Sequence, residues 1–439
     1  MSNPTSEKPS PPLWRPSRNL LALSIVSLLT DASSEIIAPL LPLFLVGTLG
    51  ATATFVGTIE GAAETIATLM KLVSGWWSDR VKRRKPLIVI GYTIASLVRP
   101  FVALATSAGQ VLAIRSIDRV GKGLRGAPRD ALIAASMPPE LRGRAFGFHR
   151  AFDHAGAVIG PLIAMLCLQA LGMPLRHVFW VAAIPGALAV FVAVFAVREE
   201  RVEPASVVVP PAVVSQEVIA PAVVATAVAE NSEAFTAGTE RNETRTSESL
   251  GAPFWRTMIV IVLFTLGNST DAFLLLRASQ LGVTVAAIPL LWIVLHLVKM
   301  FSSTPGGRLS DHIGRRPLIV SGWTLYAFVY LGFAFANVQW HAWILFAVYG
   351  VVFGLTEGTE KALVADLVTP GRRGAAFGWY GAAVGIAALP ASVLFGVVWD
   401  RFGSSHAFAM GAGIAIAAAT MFVAIVPRVN TLQFGSESA

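Results

Sequence analysis

The chain has 439 residues, 54% of them hydrophobic and only 14% charged, with a formal net charge of +8. Soluble globular proteins carry about 25% charged residues, so a chain this apolar is not built to meet water on all sides. Its single cysteine, Cys167, excludes an internal disulfide, and its positive charge lies in short loops, where it orients a membrane protein rather than recruits nucleic acid.

Up to Arg18 the chain is polar and rich in Pro and Ser, unlike the charged-then-apolar start of a secretory signal, and a disordered tail is expected over 1–18. Apolar runs of about 20 residues then recur, each long enough to cross a ~30 Å hydrocarbon core as a helix. Six lie near 19–46, 53–77, 86–106, 108–130, 145–171 and 176–197, giving a first bundle over 19–197. Residues 198–252 carry Pro, Ala, Val, Ser, Thr and Glu without helical periodicity and read as a flexible cytoplasmic linker. Six further runs near 254–277, 284–305, 317–337, 341–366, 374–399 and 405–427 give a second bundle over 253–427, followed by a tail over 428–439. The expected fold class is an all-α membrane protein of twelve transmembrane helices in two pseudo-symmetric six-helix bundles.

Loop charge sets the expected orientation. Arg80, Lys82, Arg83, Arg84 and Lys85 lie between spans two and three, Arg142 and Arg144 between four and five, Arg315 and Arg316 after eight, and Arg372 and Arg373 after ten. The loops of opposite parity near 47–52, 106–110 and 337–341 hold no Lys or Arg. By the excess of Lys and Arg on the cytoplasmic side, both termini and the linker lie inside a prokaryotic cytoplasmic membrane.

The two bundles share motifs. Gly75-Trp76-Trp77-Ser78-Asp79-Arg80-Val81-Lys82-Arg83-Arg84-Lys85-Pro86 returns as Gly307-Arg308-Leu309-Ser310-Asp311-His312-Ile313-Gly314-Arg315-Arg316-Pro317. Arg142-Gly143-Arg144-Ala145-Phe146-Gly147-Phe148 aligns with Arg373-Gly374-Ala375-Ala376-Phe377-Gly378-Trp379. The same offset sets Arg129-Asp130 over Glu360-Lys361, charges expected to meet across the inner face, with two local ion pairs as the alternative. Internal repeats of membrane helices are how many transporters are built.

These residues resemble the major facilitator superfamily. The Gly75-to-Lys85 stretch is similar to that family's loop G-x-x-x-D-R-x-G-R-R, with Lys82 where Gly is usual and, in the second copy, His312 where Arg is usual. The resemblance implies that Asp79, with Arg83 and Arg84 as neighbours, helps hold the cytoplasmic side closed against a helix N-terminus of the other half. Gly147, Gly156, Gly160 and Pro161 are similar to the fifth-span motif of the family's drug/proton antiporters, although Ala164-Met165 replaces the Gly expected after the proline. Such small residues suit a rocking interface or ordinary helix packing. The stretches Leu29 to Glu35 and Asp118 to Arg125 are similar to a prokaryotic branch of the family, which implies a fold and no cargo.

Ionisable side chains are expensive in hydrocarbon and should face the bundle interior. Span one carries Asp31 and Glu35, span two Glu60, Glu64 and Lys71, span three Arg99, span four Arg115, Asp118, Arg119 and Lys122, and span five Arg150, Asp153 and His154. The second bundle is poorer, with Asp271, Arg277, His296, Lys299 and Glu357. Six acids and six bases in the first bundle point to a largely self-neutralising network from which a few acids are left to carry protons. Asp31 and Glu35 lead, because the resemblance implies that span one lines the central cavity, and Asp271 is the expected counterpart of Asp31 in span seven.

His149, Asp153 and His154 lack the spacing of a dedicated metal site, and no nucleotide-binding motif or nucleophile elbow appears. The tryptophans, including Trp76, Trp77, Trp255, Trp323, Trp340 and Trp343, fall near span ends and read as interfacial belts. The expected function is secondary transport of a small solute by a monomer, without enzymatic activity or cofactor and driven by the proton gradient. Export by antiport is favoured; uptake by symport of a metabolite or metal chelate, and a non-transporting sensor, are the alternatives.

Overall fold

The computed structural model of the protein describes residues 15–78, 83–138, 141–199, 250–369 and 372–426. There the helices group into twelve rods: α1 (Arg18–Gly47), α2 (Ala53–Ser78), α3 (Lys85–Leu104), α4 (Ala108–Ala135), α5 (Arg142–Gln169), α6 (Leu175–Phe195), α7 (Gly251–Gln280), α8 (Ile288–Ile313), α9 (Arg315–Phe335), α10 (Gln339–Asp366), α11 (Arg373–Phe402) and α12 (Ser404–Ile425). No strand occurs among the described residues. Nine rods are long and apolar enough to cross a membrane, and α8, bent by 41° between Ser303 and Pro305, makes a tenth if taken as one span. The other two, α2 and α4, are as long but hold ten charged side chains between them. The protein is a multi-pass membrane protein. The linker between Glu199 and Leu250 and most of both tails lie outside the described residues, as does Asp79 of the first gate loop.

Prolines explain the breaks in α1 and α3. In α1, Pro39 has no N–H to donate, so the helix turns at 38–40 and resumes at Leu41. In α3, Arg99-Pro100 tightens the last turns into a 3₁₀ stretch over Arg99–Leu104. In α7 the break falls at Asn268, and the Tyr326 hydroxyl donates to the freed Gly267 carbonyl at 3.1 Å. A broken membrane helix persists only where such partners satisfy its backbone.

The repeat is visible in the packing. α1 packs on α5 and α6, α2 on α4, and α3 on α4 and α6; the same pairs recur as α7 with α11 and α12, α8 with α10, and α9 with α10 and α12. The halves meet along two seams, α2 with α11 and α5 with α8, which the same pseudo-two-fold relation exchanges. Glycines make the first seam close. A Cβ on Gly61 would lie 2.7 Å from Leu389 Cα, and one on Gly396 would lie 2.6 Å from Thr54 Cα. Small residues let membrane helices approach until backbones touch.

Candidate functional site

Between the bundles, the side chains of α1, α2, α4 and α5 form a charged wall that the structure sorts into anchored and unanchored groups. Arg99 is a buried keystone: its Nε and Nη2 donate to Asp118 Oδ1 at 3.2 and 2.8 Å, and its Nη1 donates to Ser33 Oγ at 2.8 Å. Ser33 in turn donates to the Ala182 carbonyl at 2.7 Å, where α6 breaks. Three helices around one guanidinium thus fix the base of the wall. Arg115 Nη2 donates to both oxygens of Glu60, at 2.9 and 2.8 Å, while Arg115 and Arg119 stand 4.0 and 3.8 Å from Asp118 Oδ2. Arg125 is buried and stacks 4.2 Å over the Tyr92 ring.

Asp31, Glu35 and Glu64 take part in no ion pair among the described residues. The charged neighbours of Asp31 are Asp153, Arg125, Lys122 and Glu35. Glu35 accepts a hydrogen bond across the second seam, from Trp292 Nε1 of α8 at 2.7 Å. Trp292 also meets the His296 ring edge-on at 5.1 Å. Asp153 Oδ1 lies 3.6 Å from His149 Nε2, whose Nδ1 is 3.3 Å from Ser24 Oγ. His154 has Arg150 and Asp153 beside it and Lys299 and Glu357 across the seam. Glu64, Lys71, Lys122 and Arg150 are exposed.

The helix-five motif has a different place from a rocking seam. Gly156 and Gly160 face α1 of their own half: Cβ atoms there would meet Asp31 Cβ at 2.9 Å and Glu35 Cβ at 2.8 Å. Their smallness therefore sets the depth of the two unanchored acids. Gly147 faces open space, and Pro161 sits inside an unbroken α5.

Three expectations need correction. Asp271 is not level with Asp31: it follows the break of its helix, whereas Asp31 precedes the break of α1 by two turns, and it accepts from the Tyr349 hydroxyl at 2.8 Å. Arg129 and Asp130 pair with each other at 2.9 Å, while Glu360 accepts from Trp323 at 2.8 Å and Tyr380 at 3.0 Å, and Lys361 reaches Glu357 at 3.0 Å. All these partners lie within one half, so the inner-face charges meet locally, because the halves are not joined by side-chain hydrogen bonds at that end among the described residues. Trp323 is no belt residue; it is fully buried and stacked on Phe264 at 4.3 Å. In the second gate loop, Asp311 pairs with Arg315, which also reaches Asp366 at 3.5 Å, and Arg316 donates to the Val423 carbonyl. Gly307 faces open space and Gly75 approaches only Ala127, while Arg83 is exposed and the Arg84 N–H donates to Glu199 at 2.8 Å.

Sequence reasoning missed the contact that closes the opposite end. Asp400, at the end of α11, accepts from the Ala53 and Thr54 N–H groups at 2.9 and 2.8 Å and from the Thr54 hydroxyl at 2.6 Å. Gln169 adds a bond to the Ala286 carbonyl at 3.0 Å. The signal was there: an acid at the edge of a span, on the side without basic loops. Trp292 was equally legible, one and two turns before His296 and Lys299 on one face.

Comparison with known proteins agrees with this architecture. The Major Facilitator Superfamily model matches residues 23–356 and 257–437. An MFS-type transporter of Methanocaldococcus jannaschii is 32% identical over 406 residues, covering 91% of this chain and 93% of the relative. The multidrug resistance protein MdtG of Escherichia coli is 30% identical over 202 residues, covering 44% and 47%. Among solved structures, the nucleoside transporter NupG superposes with a TM-score of 0.70 at 14% identity, over 92% of this chain and 99% of that one. Duplicated bundles, an ionised seam and a matching family model together place the chain: it belongs to the Major Facilitator Superfamily and is a transporter.

Proposed function

We propose that the protein is a proton-coupled exporter of a prokaryotic cytoplasmic membrane, with both termini inside, that takes a small solute from the cytoplasm and releases it outside against inward proton flow. The observation that carries this reading is the asymmetry of the seam. Its cross-half hydrogen bonds, accepted by Asp400 and Glu35, donated by Gln169, and donated by the Thr65 hydroxyl to the Gly385 carbonyl, lie from mid-depth to the end remote from the basic gate loops. Toward the basic end the charged groups Glu64, Lys71 and Lys122 are exposed. By the loop-charge rule that end is cytoplasmic, so the seam is tied shut on the outer side and offers its charged wall to a cytoplasmic solute. Asp31 and Glu35 are carboxylates without a fixed cation, so each is free to hold either a proton or a cationic group of the solute. Mutual exclusion of the two is antiport. The likeness to a multidrug resistance protein favours export.

The test uses everted vesicles with an acidified interior. Substrate-induced alkalinisation is expected in the wild type and is lost in Asp31→Asn and Glu35→Gln. Substrate-induced acidification supports symport and overturns export. A thermal-shift screen of solutes on the purified protein at two pH values supplies the cargo.

A further inference from the structure

One well-formed cavity of the second half lies outside the seam. A groove of about 970 Å³ opens at the basic end of the second half, between the end of α8, the outer face of α9, and the last turns of α10 and α12. None of its lining comes from the first half, and α9 packs on α8, α10 and α12 rather than on the seam. Its mouth holds Arg315 and Arg316, and its wall runs along α9 through Val320 and Thr324 to Phe328, which is 65% exposed. From Arg316 to Phe328 is twelve residues, about 18 Å of helix. One leaflet of a bilayer core is about 15 Å thick. A groove that starts at a guanidinium at the membrane surface and ends in apolar surface one leaflet deep has the dimensions of a single acyl chain.

The charges at the mouth select the headgroup. Arg315 is held by Asp311, Ser310 and Asp366, whereas Arg316 gives one donor to the Val423 carbonyl and keeps the rest of its fork. The Asp311 side chain is 66% exposed beside it. Two arginines against two aspartates leave the mouth with no net charge, so a headgroup of net negative charge gains nothing there over a neutral one. A phosphate would take the free donors of Arg316, and a primary ammonium would pair with Asp311.

We propose that this groove is a binding site for one zwitterionic aminophospholipid of the cytoplasmic leaflet, phosphate on Arg316, ammonium on Asp311 and acyl chain along α9 to Phe328. The second copy of the gate loop then serves the lipid rather than the seam, and this holds whichever solute the transporter carries.

The experiment is native mass spectrometry of the full-length protein, delipidated in mild detergent and titrated with palmitoyl-oleoyl phosphatidylethanolamine. The wild type is expected to retain one lipid after the rest are stripped. Arg316→Gln, which removes the charge and most donors, is expected to lower retention at least about tenfold, and Thr324→Trp, which fills the groove, to abolish it. Ile184→Trp, on the 63% exposed outer face of α6 in the other half, is expected to retain lipid like the wild type. Circular dichroism and a monodisperse elution profile certify each variant as folded. Unchanged retention in both Arg316→Gln and Thr324→Trp, equal loss in Ile184→Trp, or a second copy of the chain occupying the face in place of lipid overturns the site. Equal retention of the matching phosphatidylglycerol overturns the headgroup assignment.

Discussion

The carboxylate of Asp400 and the backbone of Thr54 join the two halves at the end remote from the basic loops. Asp400 Oδ1 and Oδ2 accept from consecutive N–H groups in the first turn of α2, at 2.9 and 2.8 Å. The first N–H groups of a helix have no partner within it, and the helix dipole favours a negative charge there. A capping carboxylate is ordinarily local; here it comes from the other bundle, so the helix end is satisfied only while this side is shut.

Asp400→Asn keeps the shape and removes the charge. It is expected to raise the population open at this end about two- to fivefold, the effect of removing a negative charge from a helix N-terminus. Spin labels at Gly47 and Gln280, in a Cys167→Ser background, report it as a longer distance component. An unchanged distance distribution would remove Asp400 from the gate.

Glu35 and Trp292 act through different chemistry and are separable. Glu35→Gln preserves an acceptor for the indole N–H and abolishes proton binding, so proton-coupled transport is expected to vanish while solute exchange without a gradient persists. Trp292→Phe leaves the carboxylate but breaks its contact with α8, so exchange itself is expected to slow by about tenfold, the scale of one charged hydrogen bond. Identical phenotypes for the two would count against Trp292 as the link between charge and motion.

Arg99→Ala strands Asp118 in a site where that acid is 1% exposed. Removing one partner of a buried pair costs about 3–5 kcal/mol. A lower Tm in detergent and poor membrane yield are expected, with partial recovery on adding Asp118→Asn. Full stability of the single variant would show that the keystone is dispensable.

Gly156 and Gly147 have the same residue type and different environments. A Cβ at 156 would come 2.5 Å from the Leu28 carbonyl, while one at 147 meets nothing within 4 Å. Gly156→Ala is therefore expected to cost about 1–3 kcal/mol through overpacking and to misplace Asp31, whereas Gly147→Ala is expected to leave stability and transport unchanged. Thermal unfolding and transport assays on the pair decide it.

What the linear chain determined follows from short-range physics. Apolar runs of membrane length fix where helices lie, prolines after Ala38 and Arg99 fix where they break, and the doubled Gly75 and Gly307 loops fix the repeat. None of these needs knowledge of a distant partner. Rotation about each helix axis does. Whether Gly156 faces its own half or the seam, whether Asp118 is paired or free, and whether Glu360 meets Trp323 or the other bundle depend on angles of a few tens of degrees summed over twelve packed rods. Asp271 looked like the twin of Asp31 because both are lone acids in matching spans, yet the position of each helix break sets them at different depths. The Asp400 cap was decided at the longest range of all: its partner is 346 residues away, and only the closed side of the assembled halves brings them together.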